Sequence, residues 1–306
     1  MTHEWREQGE RSSLFMIRLL VRCALVLGRP LTRIVLWPVA IYFWMTHAEA
    51  RNASRDFLTR LTGRPAVASQ ILRHFHRFAT VSVDRVYLLR NRTGALAMET
   101  EYGPGARETL MSGRGCILIV AHFGSFEALR VPALRRGART VRIVLDRAVG
   151  RMATAVFEQL DRRLAAGIID AARPGFEVIL EVKRALDGGD IVGIMADRAR
   201  SDERAVTVDF LGARAHFPAG PWLIAAGLGA PVILGFGVLQ NGRYRCSLEL
   251  FAERVSIPRT SRDSSAQLVA QKYAARLEQA VLEAPYNWFN FYDYWLPDDA
   301  PGTARN

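Results

Sequence analysis

Apolar and polar positions change rhythm along this chain. From residue 113 onward, short apolar runs alternate with amphipathic stretches. CILIVA (116–121) is apolar throughout, as a strand covered on both faces of a parallel sheet must be. TVRIVLD (140–146), GIIDA (167–171) and IVGIMAD (191–197) read as further strands. Between them, SFEALRVPALRR (125–136, despite Pro132) and residues 151–165, 175–186 and 219–228 carry helical spacing. PVILGFGVLQNGRYRCSLELF (231–251) predicts a hairpin with Asn241-Gly242 at its turn, and 264–283 predicts a closing amphipathic helix. Alternation of this length predicts an α/β fold: a mixed sheet flanked by helices.

The N-terminal text is different. Residues 1–13 are polar. Leu14 to Met45 is apolar but punctuated by arginine and proline, and its longest uncharged run, Ile34–His47, has 14 residues. A membrane-spanning helix needs about 20. Arg11, Arg18 and Arg22, spaced by seven and four, fall on one helical stripe that Arg29 and Arg33 would continue. Pro30 predicts a break into two short helices. Arginine would face lipid phosphates, and Leu, Ile, Phe and Trp the acyl chains, with Trp37, Tyr42, Phe43 and Trp44 suited to a membrane interface. Packing on a soluble core, or a tilted span through 34–46, are the alternatives. Two more helices follow, 47–63 ending at Gly63 and 65–90 with Ile71, Leu72, Phe75 and Phe78 at core spacing. His74 and His76, two apart, face different sides of the second and do not share a metal. The division expected is a helical, membrane-associating region over 1–110 and an α/β domain over 111–306.

Composition narrows the partners. Half of the 306 residues are hydrophobic, ample for a large core. Lys plus Arg number 41 against 30 Asp plus Glu, a net charge of +11, and only Lys183 and Lys272 are lysines. Such a surplus suits an anionic membrane, an acidic carrier protein or nucleic acid. The arginines are dispersed and no nucleic-acid-binding signature accompanies them, so no nucleic acid is expected. Cys23, Cys116 and Cys246 are far apart, which argues against a disulfide framework or a zinc module.

Chemistry concentrates after the first strand, in HFGSFE (122–127). His122 stands at the carboxyl end of a buried strand, where α/β sheets place their ligands. Glu127, five residues on, falls in the first helical turn if Ser125 caps the helix, and Gly124 permits a tight path between them. A carboxylate on Nδ1 fixes the tautomer of an imidazole, stabilises its protonated form and leaves Nε2 as a general base. Such a base can take the proton of a hydroxyl as its oxygen attacks an acyl carbonyl, with no Ser or Cys nucleophile needed. Backbone N–H groups near Gly124 would stabilise the oxyanion. The bland alternative is a histidine that ends a strand beside a solvated glutamate. Asp146-Arg147 and Asp197-Arg198, with Arg200, follow other strand ends on the same edge; they are candidate phosphate-binding groups or plain structural ion pairs. No spacing here suits a metal site.

HFGSFE resembles the first signature block, H-x4-[D/E], of the glycerolipid and lipid A acyltransferases. IVGIMADRAR (191–200), VTVDFLGARAHFPAGPWLIAAGLGAPVI (206–233) and APYNWFNFYDYW (284–295) resemble, in family order, later blocks of the lauroyl and myristoyl lipid A biosynthesis acyltransferases. The resemblance implies transfer of a fatty acyl group from a thioester, on acyl carrier protein or coenzyme A, to a hydroxyl of a lipid or glycolipid. It implies His122 as base and Glu127 as its orienter. Gly124, Ser125, Arg147, Asp197, Arg198, Phe217 and Gly220 would serve substrate binding. No cofactor beyond the thioester donor is implied, and the location is the cytoplasmic face of a bacterial inner membrane, peripheral or single-span. FPAG (217–220) stands where glycerol-phosphate enzymes carry FPEGT, which disfavours glycerol 3-phosphate as acceptor. A docking subunit that kept the fold without catalysis, and a hydrolase, are the competing readings.

Overall fold

The structure is a computed structural model that describes residues 14–90, 94, 96–135, 139–147, 151–200 and 203–296. Arg11 lies outside the described residues, as do the side chains of Arg18, Arg22 and Cys23.

Helices open the chain: α1 (Leu14–Thr46), α2 (Ala48–Thr62) and α3 (Ala68–Leu89). The break expected in α1 is present, but at Gly28 rather than Pro30: Gly28 has φ 72° and ψ 167°, which only glycine adopts without strain. Pro30 then sits in the first turn of the second segment, where its missing N–H costs nothing. Gly63, with φ 65°, caps α2 in the left-handed conformation.

The expected mixed sheet has seven strands in the order β1-β9-β8-β2-β5-β3-β4. The strands are β1 (Met98–Tyr102), β2 (Cys116–Val120), β3 (Val141–Leu145), β4 (Ile168–Asp170), β5 (Ile191–Met195), β8 (Val232–Gln240) and β9 (Arg243–Ala252). All neighbours run parallel except β8 and β9, the predicted hairpin, whose turn residues Asn241 and Gly242 take φ of 48° and 81°. Helices α4 (Ala106–Met111), α5 (Phe126–Arg135), α6 (Arg151–Leu160), α7 (Arg162–Ala166), α8 (Gly175–Asp187), α9 (Gly220–Leu228) and α10 (Arg262–Glu283) complete the layers. Both sheet faces are covered: Ile117 and Ile119 point into one apolar core with Val182, Trp222 and Tyr273, while Cys116, Leu118 and Val120 point into the other with Leu129, Ile143 and Phe157. Strand β2, the middle one, is therefore apolar at every position.

Two elements depart from expectation. β1 precedes residue 110 yet is an edge strand of the main sheet, so the helical region and the α/β layers interlock there. Residues 205–218 form a separate two-stranded antiparallel sheet, β6 (Ala205–Phe210) and β7 (Ala213–Pro218).

Candidate active site

The neighbours of His122 follow from strand register. Cys116 pairs with Ile191 and Val120 with Met195 in the parallel β2–β5 ladder. Two residues further along each strand stand His122 and Asp197, which that register sets side by side. Asp197 is fully buried and meets His122 twice: Oδ1 lies 2.9 Å from the ring Nδ1, and Oδ2 accepts the backbone N–H of His122 at 3.1 Å. Burial alone raises the Asp197 pKa, yet the imidazole, its hydrogen bonds and Arg198 carry it below the usual carboxylate value. Burial, then the charge of Arg198, hold the imidazole below its ordinary 6.5 against the pull of Asp197. At neutral pH the carboxylate is ionised and can only accept, so Nδ1 carries the proton and Nε2 keeps its lone pair. His122 remains about a third exposed, at 34 %, so the ring is reachable from outside.

Glu127 does not take the place expected for it. Its carboxylate is buried, accepts the Ser125 hydroxyl at 2.6 Å and lies 3.4 Å from Nε of Arg85. Nδ1 of His122 is on Asp197 instead. The reason is geometric: a carboxylate in the first turn of α5 reaches back to the capping serine, whereas the adjacent strand end delivers one directly beside the ring. Ser125 Oγ also accepts the Ala128 N–H at 3.3 Å, an N-cap. Ser125 therefore holds the helix start.

Gly124 is a point of backbone contact. Its φ is +73°, and a Cβ there would lie 2.1 Å from the Gly237 carbonyl oxygen of β8. Its N–H donates to Asn287 O at 2.8 Å and that of Ser125 to Gly237 O at 2.7 Å. The amides of Gly124 and Ser125 are thus engaged within the protein. The positive groups that act on His122 are Arg198 and, more weakly, Arg85. Arg198 donates to the Phe289 carbonyl, lies 3.7 Å from Oδ2 of Asp197 and has its guanidinium 5.1 Å from the centre of the Tyr292 ring.

The C-terminal aromatic text closes the loop from its other side. Phe123 bridges Trp288 in antiparallel fashion, Phe289 N–H donates to His122 O at 2.9 Å, and the Tyr294 hydroxyl donates to the Asp197 carbonyl at 2.6 Å.

The model of the bacterial lipid A biosynthesis acyltransferases matches residues 63–296. The chain belongs to that family. It is an acyltransferase by membership, and the reaction of the family is acyl transfer to a lipid. A search of curated proteins found no match.

The remaining expected site residues of this acyltransferase separate. Asp146 pairs with Arg200 at 2.8 Å, not with its neighbour Arg147, and so ties the ends of β3 and β5. Arg147 bonds Asp170 through its backbone N–H and the Ala165 carbonyl through its guanidinium, at the β4 side of the sheet. Phe217 is fully buried against Phe210, Tyr273 and Tyr294, a core residue. Gly220 opens α9 with free space around it. Arg85 was not singled out from the sequence, since only the fold brings it to Glu127; Tyr294 stands in the aromatic block 284–295 that the sequence did mark, but its bond to the Asp197 carbonyl comes from the fold.

Proposed function

We propose that the chain is a membrane-associated O-acyltransferase in which His122 is the general base and Asp197 its orienter. The single observation that carries the reading is the two-point contact between Asp197 and His122, on ring and backbone, at the carboxyl edge of the sheet. Nε2 takes the proton of an acceptor hydroxyl as its oxygen attacks the thioester carbonyl. The tetrahedral intermediate collapses with cleavage of the C–S bond, and the imidazolium returns the proton to the departing thiolate. Asp197 stabilises the imidazolium between these steps. Arg198 supplies the positive field for the oxyanion in place of the engaged Gly124 and Ser125 amides. Glu127 positions the loop by tying Ser125 and Arg85. An acyl carrier protein is the favoured donor, because an acidic protein is drawn to a surface of net charge +11.

Membrane seating rests on α1. Residues 26–46 are long and apolar enough to cross a bilayer, a test that core helices also pass. One stripe of this helix is committed inward: Thr32, Leu36 and Ala40 are buried, Arg29 and Arg33 pair with buried Asp84 of α3, and Trp37 stacks on His76 at 3.9 Å. The opposite stripe exposes Val26, Leu31, Ile34, Val35, Ile41, Tyr42 and Met45. A span would carry Asp84, Arg85 and the rest of α3 into hydrocarbon with it, at a cost of several kcal/mol. The helix therefore lies in the interface with its exposed face toward lipid.

Purified protein on anionic vesicles, given acyl-carrier-protein or coenzyme A thioesters and hydroxylated lipid acceptors, tests the reading by mass spectrometry of the lipid. Wild type yields acylated lipid and His122→Ala yields less than about a hundredth of it. Free fatty acid without acylated lipid would mark a hydrolase, and no product from any pair a docking subunit; equal product from both proteins would overturn His122 as the base.

A further inference from the structure

We infer that residues 287–294 are a positioning strap for the base, with the Tyr294 hydroxyl as the group that holds Asp197 against His122. The inference rests on the His122–Asp197 reading of the site and goes one step outward from it.

Two of the strap's bonds fall on 122–124, Phe289 N–H to His122 O at 2.9 Å and Gly124 N–H to Asn287 O at 2.8 Å, and together they make the antiparallel Phe123–Trp288 bridge. Two more fall on 197–198: the Tyr294 hydroxyl on the Asp197 carbonyl at 2.6 Å, and Arg198 on the Phe289 carbonyl with its guanidinium against the Tyr292 ring. One segment thus grips both strand ends that present the pair. Register sets β2 and β5 abreast only as far as Val120 and Met195, where the ladder stops. Beyond it Ala196 N–H still reaches Val120 O at 3.0 Å, and the strap takes up the carbonyls of His122 and Asp197 themselves.

The strap is itself fixed from behind. Asn287, 3 % exposed, exchanges two side-chain bonds with the backbone of Leu239, accepting at 2.9 Å and donating at 3.2 Å. His74 of α3, fully buried, reaches the Trp288 carbonyl at 2.9 Å with Nε2 while Nδ1 meets the Ser54 hydroxyl at 2.8 Å. Tyr294 is held edge-on by Trp288 at 4.9 Å and by Trp295 at 5.4 Å. The hydroxyl is therefore aimed by packing, and its loss would free the Asp197 backbone without emptying the ring's place.

Two variants separate positioning from general support. Tyr294→Phe removes one hydroxyl and keeps the ring. Tyr244→Phe removes a buried hydroxyl bond of the same kind, to Oδ2 of Asp84 at 3.1 Å, away from the pair and from the strap. The first readout needs no substrate: exchange with water of the Nδ1 proton of His122, followed by NMR in detergent micelles. Exchange about tenfold faster in Tyr294→Phe, with Tyr244→Phe at the wild-type rate, is the expected result. Equal rates in all three proteins, or equal acceleration in both variants, overturns the strap. In turnover, kcat of Tyr294→Phe falls about tenfold with both KM values within twofold of wild type; an unchanged kcat also overturns it. If wild type transfers no acyl group while the proton exchange responds as expected, the reaction assigned above fails and the strap stands.

Discussion

At the scale of single residues, the site is defined by which carboxylate His122 holds. Asp197 engages both ring and amide, so its two oxygens are spent on one residue and the ring cannot turn without breaking a bond. The imidazole is held below 6.5 by burial first and Arg198 second. A base at His122 acts only when neutral, so on the proposed mechanism kcat/KM falls as pH drops through the pKa of His122. A profile of kcat/KM against pH is expected to show its acid limb centred below 6.5. Arg198→Gln, which removes a lowering charge, is expected to move that limb upward; an acid limb that does not move would remove Arg198 from the control of the base. CILIVAH and IVGIMAD each place their polar residue at the seventh position, so the pairing was latent in the sequence. It became legible only once β2 and β5 were known to be neighbours in register. Glu127 was the nearer carboxylate in sequence; Ser125 and Arg85 hold it because it starts a helix.

Elements are joined through a few buried polar groups, and His74 is the clearest. Full burial, partly offset by its bond to the Trp288 carbonyl, lowers its pKa to about 4. The native ring therefore stays neutral while the unfolded ring protonates near 6.5. Above pH 6.5 its contribution to stability is intact. As pH falls from 6.5 to about 4, the unfolded chain gains a proton that the native one refuses, and stability declines by about 3 kcal/mol in total. Denaturant unfolding across that window is expected to show this decline in wild type and to lose that part of it in His74→Gln; identical slopes would contradict the assignment. The helices and strands that frame the site were legible because their patterns are long or uniformly apolar. The β6–β7 hairpin was not: its turn is Leu211-Gly212, where Leu211 takes φ 52°, a conformation that leucine rarely adopts. Its N–H bond to Glu278 of α10 at 2.6 Å comes from the tertiary fold. β1, METEY, escaped notice because its glutamates face outward to pair with Arg243 and Arg245 of β9.

For the whole molecule, the proposed seat at a lipid boundary turns on how α1 lies beside the site. Arg85 of α3 reaches Glu127 beside the loop at 122–127, and α1 lies along α3, so the exposed apolar stripe of α1 rides on the helix that flanks the site. On the proposed reading, a hydroxylated lipid would meet His122 without leaving its leaflet. Vesicle flotation is the appropriate measurement. Binding to anionic vesicles is expected to weaken as salt rises from 0.05 to about 0.5 M, by screening of the net charge of +11. Ile34→Glu together with Tyr42→Glu, both on the exposed stripe, is expected to weaken it about tenfold while the helical circular dichroism is unchanged. Retention of full binding by the double variant would place the membrane contact elsewhere.

The most direct test of the base and its partner is the turnover of Asp197→Asn beside that of Glu127→Gln. An asparagine fills the same space but cannot stabilise the imidazolium, so kcat of Asp197→Asn is expected to fall about a thousandfold or more. Glu127→Gln, which disturbs only the loop, is expected to lose about tenfold. An Asp197→Asn enzyme within fivefold of wild type, or a Glu127→Gln enzyme more impaired than it, would contradict the account.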